Sequence, residues 1–222
     1  MEAGSTPHAD ARRFERTSTD PTAATGDHRV QFVPTPIADP GPLGLASFAT
    51  TTFILSVFNA NLVSHGGEPV VLGMMLAVGG IAQFAAGMWE FRTGNTFGAL
   101  AFSSFGAFWL SLWAYLQFYA DTVPARDAGH ALGLYLIAWG IFTTYVFVAS
   151  LRTTAAVALV LFLLAITFFL LGIGNAGPHP NITKAGGWVG LATAVVAWYT
   201  SFAGVTNATF GRTVLPVVPL KR

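Results

Sequence analysis

The sequence predicts an all-α integral membrane protein with six transmembrane helices, and three observations carry that prediction. Hydrophobic residues make up 53% of the 222 residues and charged residues only 9%, where soluble domains carry roughly 25% charged. After residue 40 the charges cut the chain into six uncharged intervals, 40–67, 69–89, 93–120, 128–151, 153–183 and 185–211. Each is long enough for the roughly 20 residues that a spanning helix needs. The cations are also distributed unevenly between the two sides. With the N-terminus inside, Arg12, Arg13, Arg16, Arg29, Arg92, Arg152, Arg212, Lys221 and Arg222 lie on one side, against Arg126 and Lys184 on the other. That asymmetry places both termini in the cytoplasm.

Composition excludes several classes. A net charge of +1 with no basic run outside the N-terminal segment makes no case for nucleic acid, and the absence of cysteine removes thiol catalysis, disulfides and Cys-ligated metals. A membrane haem needs axial histidines within helices, and His130, at a membrane edge, is the one candidate. A retinal protein needs a buried lysine, which no predicted helix contains. A membrane redox enzyme is therefore the weakest reading, and no enzymatic activity, cofactor or metal is expected.

Residues 1–38 are rich in Ser, Thr, Pro, Gly and charge, lack an apolar period, and are expected to form a disordered cytosolic tail. The transmembrane domain is expected over 39–216, with a short cytosolic tail at 217–222. The first helix begins at Asp39, a good N-cap before Pro40 at the first helical position, and is expected to reach about Val63. Its polar residues Thr52, Ser56 and Asn59 recur at helical spacing, with Leu45 and Phe48 on the same stripe. Such a face turns toward other helices or toward water, so it is either a packing face or a pore lining.

Ser64 to Glu68 form an outer turn. The second helix, about Pro69 to Glu90, places Gly73, Gly80, Gln83, Gly87 and Glu90 on one stripe, suited to close backbone approach with Gln83 as a hydrogen-bonding lining residue. A carboxylate at a helix C-terminus calls for a cation, and a structural ion pair of Glu90 with Arg92 or Arg212 is expected. The third helix, about Phe97 to Tyr119, aligns Ala101, Phe105, Phe108 and Leu112, most simply for packing. The fourth runs from about Ala128 to Leu151. The fifth, about Thr153 to Ile173, carries Leu164, Thr167, Leu171 and, just beyond, Asn175 on one stripe. A turn-rich outer loop at 174–186 precedes a sixth helix from about Gly187 to Thr206.

Several of these stretches together resemble the acetate uptake transporter family, which includes bacterial succinate-acetate permeases and fungal ammonia/acetate exporters. The resemblance rests on Pro40 to Leu45, Gly87-Met88-Trp89-Glu90-Phe91, Gly94-Asn95-Thr96-Phe97-Gly98, Ser104-Phe105-Gly106 with Phe108-Trp109, Gly174-Asn175, and Phe210 to Pro216. It implies six helices around a narrow pathway, a homo-hexamer in the plasma membrane, and passage of acetate or related small monocarboxylates, with succinate in some members. It further implies a mid-membrane apolar constriction made by Phe48, Phe105 and Leu164. The chain departs from the family pattern at Asp39, where Asn is usual, and at Phe105, where many bacterial members have Tyr. With the resemblance, Thr52, Ser56, Asn59, Gln83, Thr167 and Asn175 are read as polar lining. A channel for small neutral solutes or ammonia is the alternative function.

Overall fold

The computed structural model describes residues 37–177 and 179–220; the expected N-terminal tail lies almost wholly outside them. Six helices are long and apolar enough to cross a membrane: α1 Gly41–Asn59, α2 Val70–Thr93, α3 Thr96–Thr122, α4 Ala125–Ser150, α5 Ala155–Ala176 and α6 Pro180–Phe210. The chain is a multi-pass membrane protein. α1 packs along α6, α6 along α5 and α5 along α4, while α2 lies against both α1 and α3. α3 and α4 meet through side chains, where Phe105 and Phe108 contact Trp139 with ring centroids 6.1 and 5.2 Å apart. On α4 the residues Leu134, Ile141, Tyr145 and Val148 form an exposed apolar stripe suited to lipid or to a neighbouring subunit.

The ends of the helices follow local chemistry. Asp39 Oδ1 accepts from the Gly41 amide at 2.8 Å, while the N-cap position falls at Pro40, one residue later than expected. α1 nevertheless stops at Asn59, short of Val63, because Asn61 adopts a left-handed conformation with φ 57° and breaks the helical hydrogen bonding. α2 ends at Gly94 with φ 78°, and Asn95 caps α3 by accepting from the Gly98 amide at 3.1 Å. Both α2 and α3 contain a π-helical stretch, Met75–Ala82 and Tyr115–Tyr119.

The largest departure from expectation is at 174–186. The sequence suggests a loop there, but α5 runs to Ala176 and α6 begins at Pro180. Gly174 and Gly186 in this stretch, and Gly187 just beyond it, serve helix contact, while Gly177 lies in the turn between the helices. A Cβ on Gly187 would overlap the Ala60 amide nitrogen, and one on Gly186 would sit 2.8 Å from Leu171 Cδ2. Gly190 likewise lies against Ser56. α1 and α6 are further joined by Ser201 Oγ donating to the Pro42 carbonyl at 2.6 Å and Trp198 Nε1 donating to Thr50 Oγ1 at 3.2 Å.

The chain after α6 folds back as a strap. The amides of Ala155 and Ala156, which open α5 without a helical acceptor, donate to the carbonyls of Val218 and Val217 at 2.8 and 3.3 Å. Asn207 Oδ1 accepts from the amides of Val214 and Leu215 at 2.7 and 2.9 Å. Residues 217–220 thus lie against the start of α5, where the Leu220 amide also donates to the Thr153 carbonyl at 2.9 Å.

Candidate functional site: two cavities meeting at an apolar neck

Two cavities enter the bundle from opposite ends. The wider, about 560 Å³, opens where α1, α3 and α5 begin and α2 and α6 end. The narrower, about 160 Å³, opens near Asn59, Glu68 and Asn175 at the other end. Phe48 on α1 and Leu164 on α5 line both cavities, so the two meet at this pair. Phe105 on α3 lines the wide cavity and stands beside Phe48, with ring centroids 6.1 Å apart. All three side chains are buried, at 3–4% exposure. Residues from three separate helices that the sequence could not bring together therefore lie at one level of the bundle.

Phe105 is held from several sides. Phe142 meets it edge-on at 5.5 Å and Phe168 lies nearly parallel at 6.5 Å. A ring so enclosed keeps one orientation. As phenylalanine it offers the wide cavity a hydrocarbon surface without a hydroxyl donor.

The α1 stripe is the lining face. Leu45 faces the wide cavity, Phe48 faces both, and Thr52, Ser56 and Asn59 face the narrow one. The α5 stripe divides in the same way, with Leu164 at the neck and Thr167, Leu171 and Asn175 along the narrow cavity. On α3 the face read as packing also lines the cavities, Ala101 and Phe105 on the wide side, Phe108 and Leu112 on the narrow side. The period that suggested packing was itself the signal for a lining.

The α2 stripe separates into two roles. Gly80 and Gly87 bring the backbone against Leu110 and Ser103 of α3, whereas a Cβ on Gly73 would meet nothing within 4 Å. Gln83 and Glu90 line the wide cavity.

The expected ion pair of Glu90 with Arg92 or Arg212 is not formed. Among the described residues the Glu90 carboxylate instead accepts from Asn95 Nδ2 at 2.9 Å and Thr93 Oγ1 at 3.2 Å, and both arginines are exposed. The physical reason lies in the tight α2–α3 connection. It brings the first turn of α3 against the carboxylate, so that a Cβ on Gly98 would stand 2.7 Å from Glu90 Cδ. The positive end of α3 and two neutral donors take the place of the cation that the end of α2 calls for.

Asp39, Glu90 and Glu68 are the charged groups that line the two cavities among the described residues, and neither lining includes Lys or Arg. Groups of His, Asp and Glu suited to hold a metal are also absent among the described residues.

A helical membrane domain with cavities from both ends, narrowed by apolar side chains and flanked by hydroxyls and amides, has the form of a channel or transporter for small solutes. The chain belongs to the GPR1/FUN34/yaaH family, whose model matches residues 24–222. It is 42% identical over 186 residues to ammonia transport outward protein 2 of Saccharomyces cerevisiae, covering 79% of this chain and 65% of that one. It is 39% identical over 195 residues to acetate permease A of Emericella nidulans, covering 81% of this chain and 65% of that one. The chain thus spans slightly less than two thirds of these fungal relatives. The succinate-acetate/proton symporter SatP of Escherichia coli strain K12 is 41% identical over 185 residues, 82% of this chain and 96% of its own. The solved structure of the bacterial acetate channel SatP superposes with a TM-score of 0.77 at 39% identity, covering 82% of this chain and 99% of that one.

Proposed function

We propose that this protein carries acetate and similar small monocarboxylates, with succinate as a further substrate, along a pathway within each subunit narrowed by Phe48, Phe105 and Leu164. The observation that carries the reading is that the cavities from opposite ends share Phe48 and Leu164. A solute crossing the subunit by this route passes between an aromatic and an aliphatic side chain. The relatives named for acetate, succinate and acetate channelling support the choice of solute. The protein acts in the plasma membrane with both termini cytoplasmic, so the wide cavity faces the cytosol. Six copies assemble, using exposed apolar faces such as that of α4.

The neck strips water from the acid, and hydroxyls and amides on either side replace part of that hydration. At pH 7 a carboxylic acid with a pKa near 4.3 is neutral in only about 1 molecule in 500. The anion is the abundant form, and the neutral acid is the form with the lower desolvation cost.

A second reading, passage of ammonia or another small neutral solute, is favoured by one observation: the linings carry acidic groups at both mouths and no cation. A relative named for outward ammonia transport supports it. Flux of labelled acetate, glycerol, urea and methylamine into liposomes separates the two. Acetate is expected to pass faster than glycerol or urea. Methylamine or urea flux without acetate flux would establish the second reading instead.

A further inference from the structure

Most buried polar side chains in the bundle are bonded within it. Of the six buried threonines among the described residues, Thr51, Thr143, Thr167, Thr193 and Thr200 each donate to the carbonyl four residues back. This is the usual way to hide a hydroxyl in a membrane helix. Thr52 is the sixth. Its Oγ1 is buried and has no partner, and its side chain lines the narrow cavity. Trp109 on α3 lines the same cavity, is 3% exposed, and its indole Nε1 also lacks a partner.

Leaving either group buried and unmet costs roughly 1–3 kcal/mol. The local structure nonetheless fixes the indole. A Cβ on Gly79 would stand 2.8 Å from both Trp109 Cδ1 and Cγ, so that glycine lets α2 close on the ring next to its N–H. Gly79 lies in the π-helical stretch Met75–Ala82, a feature frequent at functional sites. On its other side the indole meets Phe108 edge-on at 4.9 Å. Two residues that carry unmatched polar groups, one of them rigidly held, thus line a space of about 160 Å³ immediately beyond the neck.

We infer that Trp109 Nε1 and Thr52 Oγ1 form a carboxyl-binding subsite in the narrow cavity, where they donate to the two oxygens of the acid as it enters or leaves the neck. The inference rests on the monocarboxylate reading and deepens it by naming the recognition groups. An indole nitrogen only donates. A carboxylate accepts from both groups through charged oxygens, whereas an amide of the same shape turns its carbonyl to the indole and its NH2 to the hydroxyl and makes only neutral hydrogen bonds. The pair therefore favours the acid anion over the isosteric amide through the greater strength of hydrogen bonds to a charged acceptor. Because both donors are neutral, the acid is held without being trapped. Leu112, Leu136 and Phe168 supply the apolar walls of the same cavity.

The test uses the full chain in liposomes, with acetate and acetamide as probes. Trp109→Phe keeps the ring and removes the donor, Thr52→Val keeps the shape and removes the hydroxyl, and Thr52→Ser restores the hydroxyl. Each of the first two is expected to raise the half-saturating acetate concentration on the order of tenfold, the loss of one hydrogen bond to a charged group. Maximal flux should change less, the acetate-to-acetamide ratio should fall, and Thr52→Ser should recover affinity. If Trp109→Phe disturbs assembly, the Thr52 pair and the shift of the 15N-labelled Trp109 indole signal on adding acetate to the wild-type protein decide the matter. Wild-type acetate flux with unchanged affinity and selectivity in Thr52→Val, or an unmoved indole signal, overturns the subsite. Absence of acetate flux in the wild-type protein overturns the functional reading itself.

Discussion

At the scale of single residues, the neck is the position where one side chain is expected to change selectivity most. Leu164 is 4% exposed and borders both cavities, so Leu164→Ala removes three carbons from the narrowest level. Larger acids such as lactate should gain access while acetate, already able to pass, gains less. The lactate-to-acetate flux ratio in liposomes is expected to rise on the order of tenfold, the scale on which apolar pockets discriminate small increments of size. An unchanged ratio in correctly assembled Leu164→Ala and Phe48→Ala proteins would place the selective barrier elsewhere. Glu90 gives the complementary lesson. Hydrogen-bond donors here stand where a countercharge was expected, and Asn95 supplies one while its own oxygen caps α3. That single amide links the end of α2 to the start of α3.

Between elements, the contacts depend on places where a side chain is missing. Gly187 is the clearest, since a Cβ there would overlap the Ala60 amide nitrogen at the end of α1. Backbone cannot rotate away as a flexible side chain can. Gly187→Ala therefore has to separate α1 from α6, at a cost of about 1–3 kcal/mol for an overpacked contact. A thermal scan of the detergent-solubilised protein should show a lower midpoint for Gly187→Ala. Gly73→Ala, with open space at its Cβ position, serves as the control and should be near neutral. If the two variants melt alike, close approach at Gly187 does not limit the stability of the bundle.

For the whole molecule, the orientation proposed above, with both ends of the chain in the cytoplasm, rests on the even number of spans and on the cation count. Small tags at residues 5 and 222 should label only after the cells are permeabilised. Labelling of either tag in intact cells would reverse the assigned orientation, and with it the direction in which the wide cavity opens.

The sequence by itself determined the class, the number of spans and the side-chain stripes of the first, second, third and fifth helices. Charge spacing and hydropathy are local, and the helical period places Thr52, Ser56 and Asn59 beneath Phe48 whatever the rest of the chain does. The same period places Thr167 and Asn175 beside Leu164. Only the tertiary structure decided which faces meet. The neck joins residues from three helices, and the sequence alone could bring them together only through family resemblance. Gly186 resembles a turn former until α5 is set against it, and Glu90 calls for an arginine until α3 folds back onto it. Trp109 has no polar pattern to mark it, because an unmet indole N–H is defined by the absence of an acceptor in three dimensions. Spacing along one helix fixes direction around its axis, while distance between helices is set by non-local packing that no single stretch encodes.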